Sequence, residues 1–70
     1  MQLPWIACPD IPPKSVGWRM GRGEEAYTLF YRAFSDLTVA EREVFVAENP
    51  EPEGWEGTYA KISAHPWPNT

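Results

Sequence analysis

The sequence predicts an all-α protein: a small αα-hairpin plus a short third helix, with proline- and tryptophan-rich extended arms packed on it. Three observations carry this. Tyr27, Phe30, Tyr31, Phe34 and Leu37 recur at helical spacing and make one aromatic stripe. Thr38, Val39, Ala40 and Glu41 spell a T-x-x-E capping box, the start signal of a second helix. Trp55, Tyr59 and Ile62 fall at i, i+4 and i+7 and mark a third. Seventy residues hold one domain. The expected organisation is an N-terminal arm over 1–23, a helical body over 24–64 and a tail over 65–70.

In the arm, Pro4, Pro9, Pro12 and Pro13 disfavour a helix interior and favour extended backbone, while Gly17, Gly21 and Gly23 supply turns. Leu3, Trp5, Ile6, Ile11, Val16, Trp18 and Met20 are too many apolar residues for a disordered tail. The arm is therefore expected across the helices, anchored by Trp5 and Trp18. The first helix is expected over 24–36, with Glu24 and Glu25 in its first turn, where negative charge suits the dipole.

The capping box sets a second helix running from about Val39 to Glu48, with Ala40, Val44, Phe45 and Ala47 as its apolar side. Asn49 is expected to end it in a left-handed conformation, and Pro50 prevents continuation. A loop over 50–54 leads to the third helix. Beta-branched Thr58 and Ile62, with Gly54 and Gly57 flanking, leave a short strand open there as the alternative. His65-Pro66-Trp67-Pro68 begins a proline-locked tail.

Composition excludes several classes of function. With one cysteine, Cys8, no internal disulfide can form, and with one histidine, His65, a single chain cannot fill a four-ligand zinc site. No metal and no cofactor are expected. No apolar run approaches the roughly 20 residues of a membrane span. Met1 to Cys8 lacks the basic start and long apolar run of a signal peptide, and the lone cysteine suits a reducing compartment, so a cytoplasmic location is expected. The net charge of −4 argues against binding a nucleic-acid backbone. It is unevenly spread: residues 1–23 carry +2, residues 24–56 carry −7 and residues 57–70 carry +1. A basic arm is followed by an acidic body.

Five local patterns bear on function. Gly21-Arg22-Gly23 before a helix has the look of a phosphate loop, but Glu24 and Glu25 follow at once and would repel an anion. A turn is the plainer expectation. Pro9-x-x-Pro12-x-Lys14 has the spacing of a polyproline ligand, against which an arm packed on the protein's own tryptophans is favoured. The aromatic stripe is read as core, not as a stacking surface, because so small a chain has little else to bury. His65, Ser35, Ser63 and Cys8 lie in no catalytic motif, and Glu41 and Glu43 do not face each other on a helix, so no enzyme is expected. Glu41, Glu43, Glu48, Glu51, Glu53 and Glu56 crowd one stretch with Arg42 alone opposing. Such a stretch is either a solvated face or a surface for a basic partner.

Ile11-Pro12-Pro13-Lys14-Ser15-Val16-Gly17-Trp18-Arg19-Met20-Gly21, joined to Gly23-Glu24 and later to Pro50-Glu51-Pro52-Glu53-Gly54-Trp55-Glu56-Gly57-x-Tyr59, resembles small uncharacterised proteins of bacteriophages and prophages. The resemblance spans most of residues 9–62. It implies an accessory protein that binds and modulates or inhibits a host or phage protein, with no chemistry of its own. The expected partner is a protein, with a basic one the best match to the acidic body. Trp and Arg are enriched among binding hot spots. The candidate contacts are therefore Trp18, Arg19 and Arg22 on the arm, with Glu51, Glu53 and Trp55 on the acidic loop. The alternative is a self-associating structural or minor virion protein, since a basic arm and an acidic body suit pairing between copies.

Overall fold

The computed structural model describes residues 1–68. Its helices are α1 (Pro4–Ala7), α2 (Gly21–Ser35), α3 (Val39–Glu48) and α4 (Thr58–Ala64), with one 3-10 turn over Val16–Arg19 and, among the described residues, no strand. The protein is all-α, as its periodicity predicts, and the segment left open between helix and strand is helix α4.

Phe30 and Phe34 lie one turn apart on the inner face of α2 and are 1% and 0% exposed. Every other helix contributes a side chain to cover them. Tyr59 of α4 stacks on Phe34 with ring centres 5.2 Å apart, and Ile62 beside it is fully buried. Phe45 of α3 meets Phe34 edge-on at 5.9 Å, and Trp5 of α1 lies 6.2 Å from Phe30. Leu3 completes the buried set. Each full burial of such a side chain stabilises by about 1.5–3 kcal/mol.

The N-terminal arm contains more helix than its prolines suggest. Pro4 occupies the first position of α1, where a missing N–H costs nothing and the fixed φ is already helical. Pro4 and Cys8 are both buried. The Ser15 hydroxyl accepts from the Gly17 N–H at 3.1 Å and starts the 3-10 turn. Helix α2 begins at Gly21, earlier than the expected Glu24. Of the two glycines expected to form a turn there, Gly21 has φ +63° and reverses the chain. Gly23 instead lies inside α2, buried, where a Cβ would sit 2.1 Å from the Gly17 carbonyl oxygen. Its role is close approach of two backbones.

Asp36 to Thr38 join α2 to α3. The capping box is present in full: the Glu41 N–H donates to Thr38 Oγ1 at 3.1 Å, and the Thr38 N–H donates to Glu41 Oε1 at 2.8 Å. Arg42 staples the two helices, donating to the carbonyls of Phe34 and Ser35 at 3.3 and 2.8 Å while its guanidinium lies 5.5 Å from the Phe34 ring centre. Asn49 ends α3 with φ −133°, not in the expected left-handed region. Pro50 is the reason: the residue before proline is pushed to extended backbone. The Asn49 side chain compensates by donating to the Phe45 carbonyl at 3.0 Å.

Of the expected apolar side of α3, Phe45 alone turns inward; Ala40, Val44 and Ala47 are exposed. The tail folds back on α2. Tyr31 donates its hydroxyl proton to the His65 carbonyl, and the Trp67 N–H donates to Ser35 Oγ at 2.9 Å. The Trp67 ring packs edge-on against Tyr31. The last two residues of the expected tail, 69 and 70, lie outside the described residues.

Gly23 gives a test with an unusual sign. Alanine for glycine inside a helix ordinarily stabilises by about 0.8–1 kcal/mol. Here Gly23→Ala is expected to destabilise by about 1–3 kcal/mol, since the added methyl meets backbone that cannot rotate away. A urea midpoint equal to or above that of the unaltered protein would contradict the contact.

Candidate binding surfaces

Trp55, from the loop before α4, is 8% exposed and organises the first surface. Its ring centre lies 5.1 Å from Trp5 and 5.0 Å from Trp18, and Tyr27 of α2 lies nearly parallel to it at 6.4 Å. Trp18 is held in place by its indole N–H, which donates to the Pro12 carbonyl at 2.8 Å. Pro13 presses on Gly54: a Cβ there would lie 2.5 Å from the proline Cγ. The next residue, Lys14, takes φ +62°, the one described non-glycine residue in the left-handed region.

Beside these rings opens a cleft of about 430 Å³. Lys14 and Arg19 line it from the arm, and Lys61 lines it from α4, one turn beyond Thr58. The one ion pair found among the described residues is Asp10–Arg22, so none of these three cations has a carboxylate partner there. Glu56 is the one acid in the lining, and its Oε2 accepts from the Gly54 N–H at 2.9 Å. Burial pushes the Tyr27 phenol above its ordinary range, with Tyr31 adding to the effect.

The second surface is α3. Ala40, Val44 and Ala47, at i, i+4 and i+7, form a stripe facing away from the core. Val39, Val44 and Val46 are 72%, 59% and 36% exposed. Grooves flank the helix on both sides. One, of about 590 Å³, includes Val39, Val46 and Phe34; the other, of about 400 Å³, includes Leu37, Val44 and Met1. Glu41, Glu43 and Glu48 are exposed along the same helix.

The residues singled out in the sequence part company in space. Trp18, Arg19 and Trp55 converge on the cleft, with Trp55 forming its floor more than its surface. Arg22 points elsewhere and is paired with Asp10, whose carboxyl it holds below the usual carboxylate range. Glu53 is exposed on the loop. Glu51 is half-buried and engaged: its carboxylate accepts from the N–H groups of Gly57 at 3.1 Å and Tyr59 at 2.8 Å, capping α4. Lys61 carries no local motif and Tyr27 belongs to the stripe read as core; the packing of α4 on α2 places them together. On a helical wheel of 58–64, Lys61 falls nearly opposite Tyr59, so α4 turns it away from the ring it buries.

Two of the groups with nucleophilic chemistry, Cys8 and Ser35, are engaged by neighbours. The Cys8 thiol is buried against the Arg22 carbonyl oxygen at 3.9 Å. Ser35 Oγ donates to the Tyr31 carbonyl and accepts from Trp67. Among the described residues no group of three His, Cys, Asp or Glu side chains is placed to hold a metal ion. No described helix is long and apolar enough to cross a membrane. No protein-family model, curated protein or solved structure matches the chain.

The cap on α4 yields a stability test. Glu51→Ala leaves two N–H groups without their acceptor and is expected to cost about 1–3 kcal/mol in urea unfolding. An unchanged midpoint would show that water replaces the carboxylate at no cost.

Tyr59 yields a pH test. Its phenol, pushed from 10.0 up to about 12 by burial first and by the Glu51 charge second, donates to the Asn49 carbonyl at 2.7 Å. The unfolded chain ionises before the folded one, so stability is full below pH 10 and falls as pH rises towards 12. Tyr59→Phe should flatten that decline, measured as denaturation midpoint against pH. A decline of equal steepness in the variant would assign it to other groups.

Proposed function

We propose that this protein is a binding module that docks on a basic segment of another protein through the outer face of α3 and carries out no chemistry of its own. One observation carries the reading: a well-capped helix turns Ala40, Val44 and Ala47 outward in one row, with Val39 and Val46 in the groove beside it. Burying such residues against water's alternative is favourable at about 25 cal/mol per Å². Single exposed apolar residues are ordinary, but a contiguous stripe flanked by two grooves is the anatomy of a helix-docking face. The acids on the helix select the partner. Glu41, Glu43 and Glu48 would steer and register a basic amphipathic segment. The same acids oppose face-to-face pairing of two copies, since like charges would meet; this ranks a foreign partner above self-assembly.

The setting comes from the resemblance of residues 9–62 to small phage and prophage proteins. In that setting the module acts as an accessory protein in the host cytoplasm, modulating or inhibiting a host or phage protein by covering a basic surface.

The test places a photo-crosslinking residue at Ala47 and compares partners captured in host cells with those captured by a second protein carrying Val44→Glu. Val44 is exposed, so that substitution should leave thermal stability within about 0.5 kcal/mol. A charge in the middle of the docked face should weaken capture at least about tenfold. Equal recovery of the same partners by both proteins would overturn the docking face. A concentration-dependent dimer in sedimentation, lost with Val44→Glu, would overturn the foreign partner in favour of self-association.

A further inference from the structure

We infer a second, independent site: the cleft between the 3-10 turn and α4 binds a phosphorylated ligand bearing a flat ring, of nucleotide size. It shares no lining residue with the α3 face. Its volume of about 430 Å³ lies in the range of small-molecule sites.

The charges come first. The acidic protein has six cations in all, and three of them, Lys14, Arg19 and Lys61, line this one cleft without a carboxylate partner among the described residues. They arrive from three separate segments: a turn, the end of the 3-10 turn and helix α4. Like charges gathered this way repel one another, and an anion between them relieves that repulsion. Arg19 offers a planar fork of donors suited to phosphate, and the two lysines act as point charges.

The rings come second. Trp18 and Tyr27 flank the cleft over Trp55. Aromatic faces bind a flat ring by stacking, whichever base it carries. The half-buried Tyr27 opens on the cleft, and no partner for its hydroxyl is found among the described residues. Glu56 sits at the same opening with one oxygen already engaged by Gly54, and it disfavours a ligand whose charge extends along the whole cleft. A single phosphate end is the better match.

The backbone comes third. Lys14 occupies a left-handed conformation that suits glycine. Such a conformation strains a lysine, whose Cβ crowds the backbone there. Glycine at 14 would remove that strain, and lysine supplies a cation at the cleft in return. Stability and binding therefore pull in opposite directions at this position.

The test titrates the full-length protein with a nucleoside monophosphate, following indole fluorescence and the indole N–H resonances. Parallel titrations use inorganic phosphate, the unphosphorylated nucleoside and a short single-stranded oligonucleotide. Expected is saturable binding of the mononucleotide, weakened by salt and stronger than that of either fragment. Removing one cation, by Arg19→Ala or Lys61→Ala, should weaken it about threefold to tenfold. Lys14→Gly should weaken binding similarly while keeping or raising the unfolding midpoint, which a purely structural lysine would not do. Tighter binding of the oligonucleotide through its terminal phosphate would identify a strand end as the source of the ligand. The site is overturned if the indoles do not respond to millimolar mononucleotide. It is equally overturned if phosphate alone binds as well, or if Lys14→Gly binds undiminished. Loss of the α3 docking function would leave each of these readouts in place.

Discussion

The enclosure of Phe30 and Phe34 is the constraint on which this fold depends. Both rings project from one face of α2, and the helix that carries them cannot cover them. A chain of this length has no second layer to spare, so each remaining helix supplies one part of the cover. Trp5 comes from α1, Phe45 from α3, and Tyr59 with Ile62 from α4. Most of these rings meet tilted or edge-on, the geometry their quadrupoles favour. The dependence runs both ways. Helices as short as α1 and α4 have no stability in isolation. They persist because each delivers a side chain to the shared core.

Where core material runs out, polar side chains take over the joining. Arg42 ties the start of α3 to the last carbonyls of α2, and the capping box closes the same corner from the other side. Glu51 does for α4 what a local cap would do for a longer helix. The consequence for α3 is direct. Phe45 and Arg42 fix it on its inner side and Thr38 fixes its start, leaving its outer stripe with no structural duty. An apolar stripe that the fold does not use, on a helix the fold holds firmly, is a rigid surface open to a partner.

Features set within a few residues were legible in the sequence, and features set by distant contacts were not. The aromatic stripe and the capping box depend on spacing alone, and both stand where the sequence puts them. Pro4 argues against a helix interior, yet the rule that bars proline there admits it at the first position. Gly23 reads as a turn because a glycine carries no sign of whether it serves φ or proximity; the approach of the Gly17 carbonyl decides it. Periodicity identified the apolar residues of α3 but not their direction. The single large ring, Phe45, turned inward and took the others' place in the core. Glu51 reads in the sequence as a contact on the acidic loop, and nothing local distinguishes a carboxylate that caps a helix from one that meets a partner or water. The cleft is half legible: Trp18, Arg19 and Trp55 stand out as aromatic and cationic contacts, whereas Tyr27 reads as core and Lys61 joins them only through the packing of α4 on α2.

Charge shows the same separation between order along the chain and order in space. Along the chain, a basic arm precedes an acidic body. Folding divides the arm's cations. Arg22 is neutralised by Asp10, while Lys14 and Arg19 turn towards Lys61 from near the other end of the chain. The acids of α3 stay with the valines. The result is two surfaces of opposite sign on one small body, one apolar and acid-flanked, the other aromatic and cationic. Opposite signs draw two copies together only where the shapes match. The stripe lies on the outer flank of a ten-residue helix, whereas the cleft opens beside Trp18, whose indole is tied to Pro12. Charge alone therefore does not make the two surfaces partners of one another, and on the reading proposed for each they take different ligands.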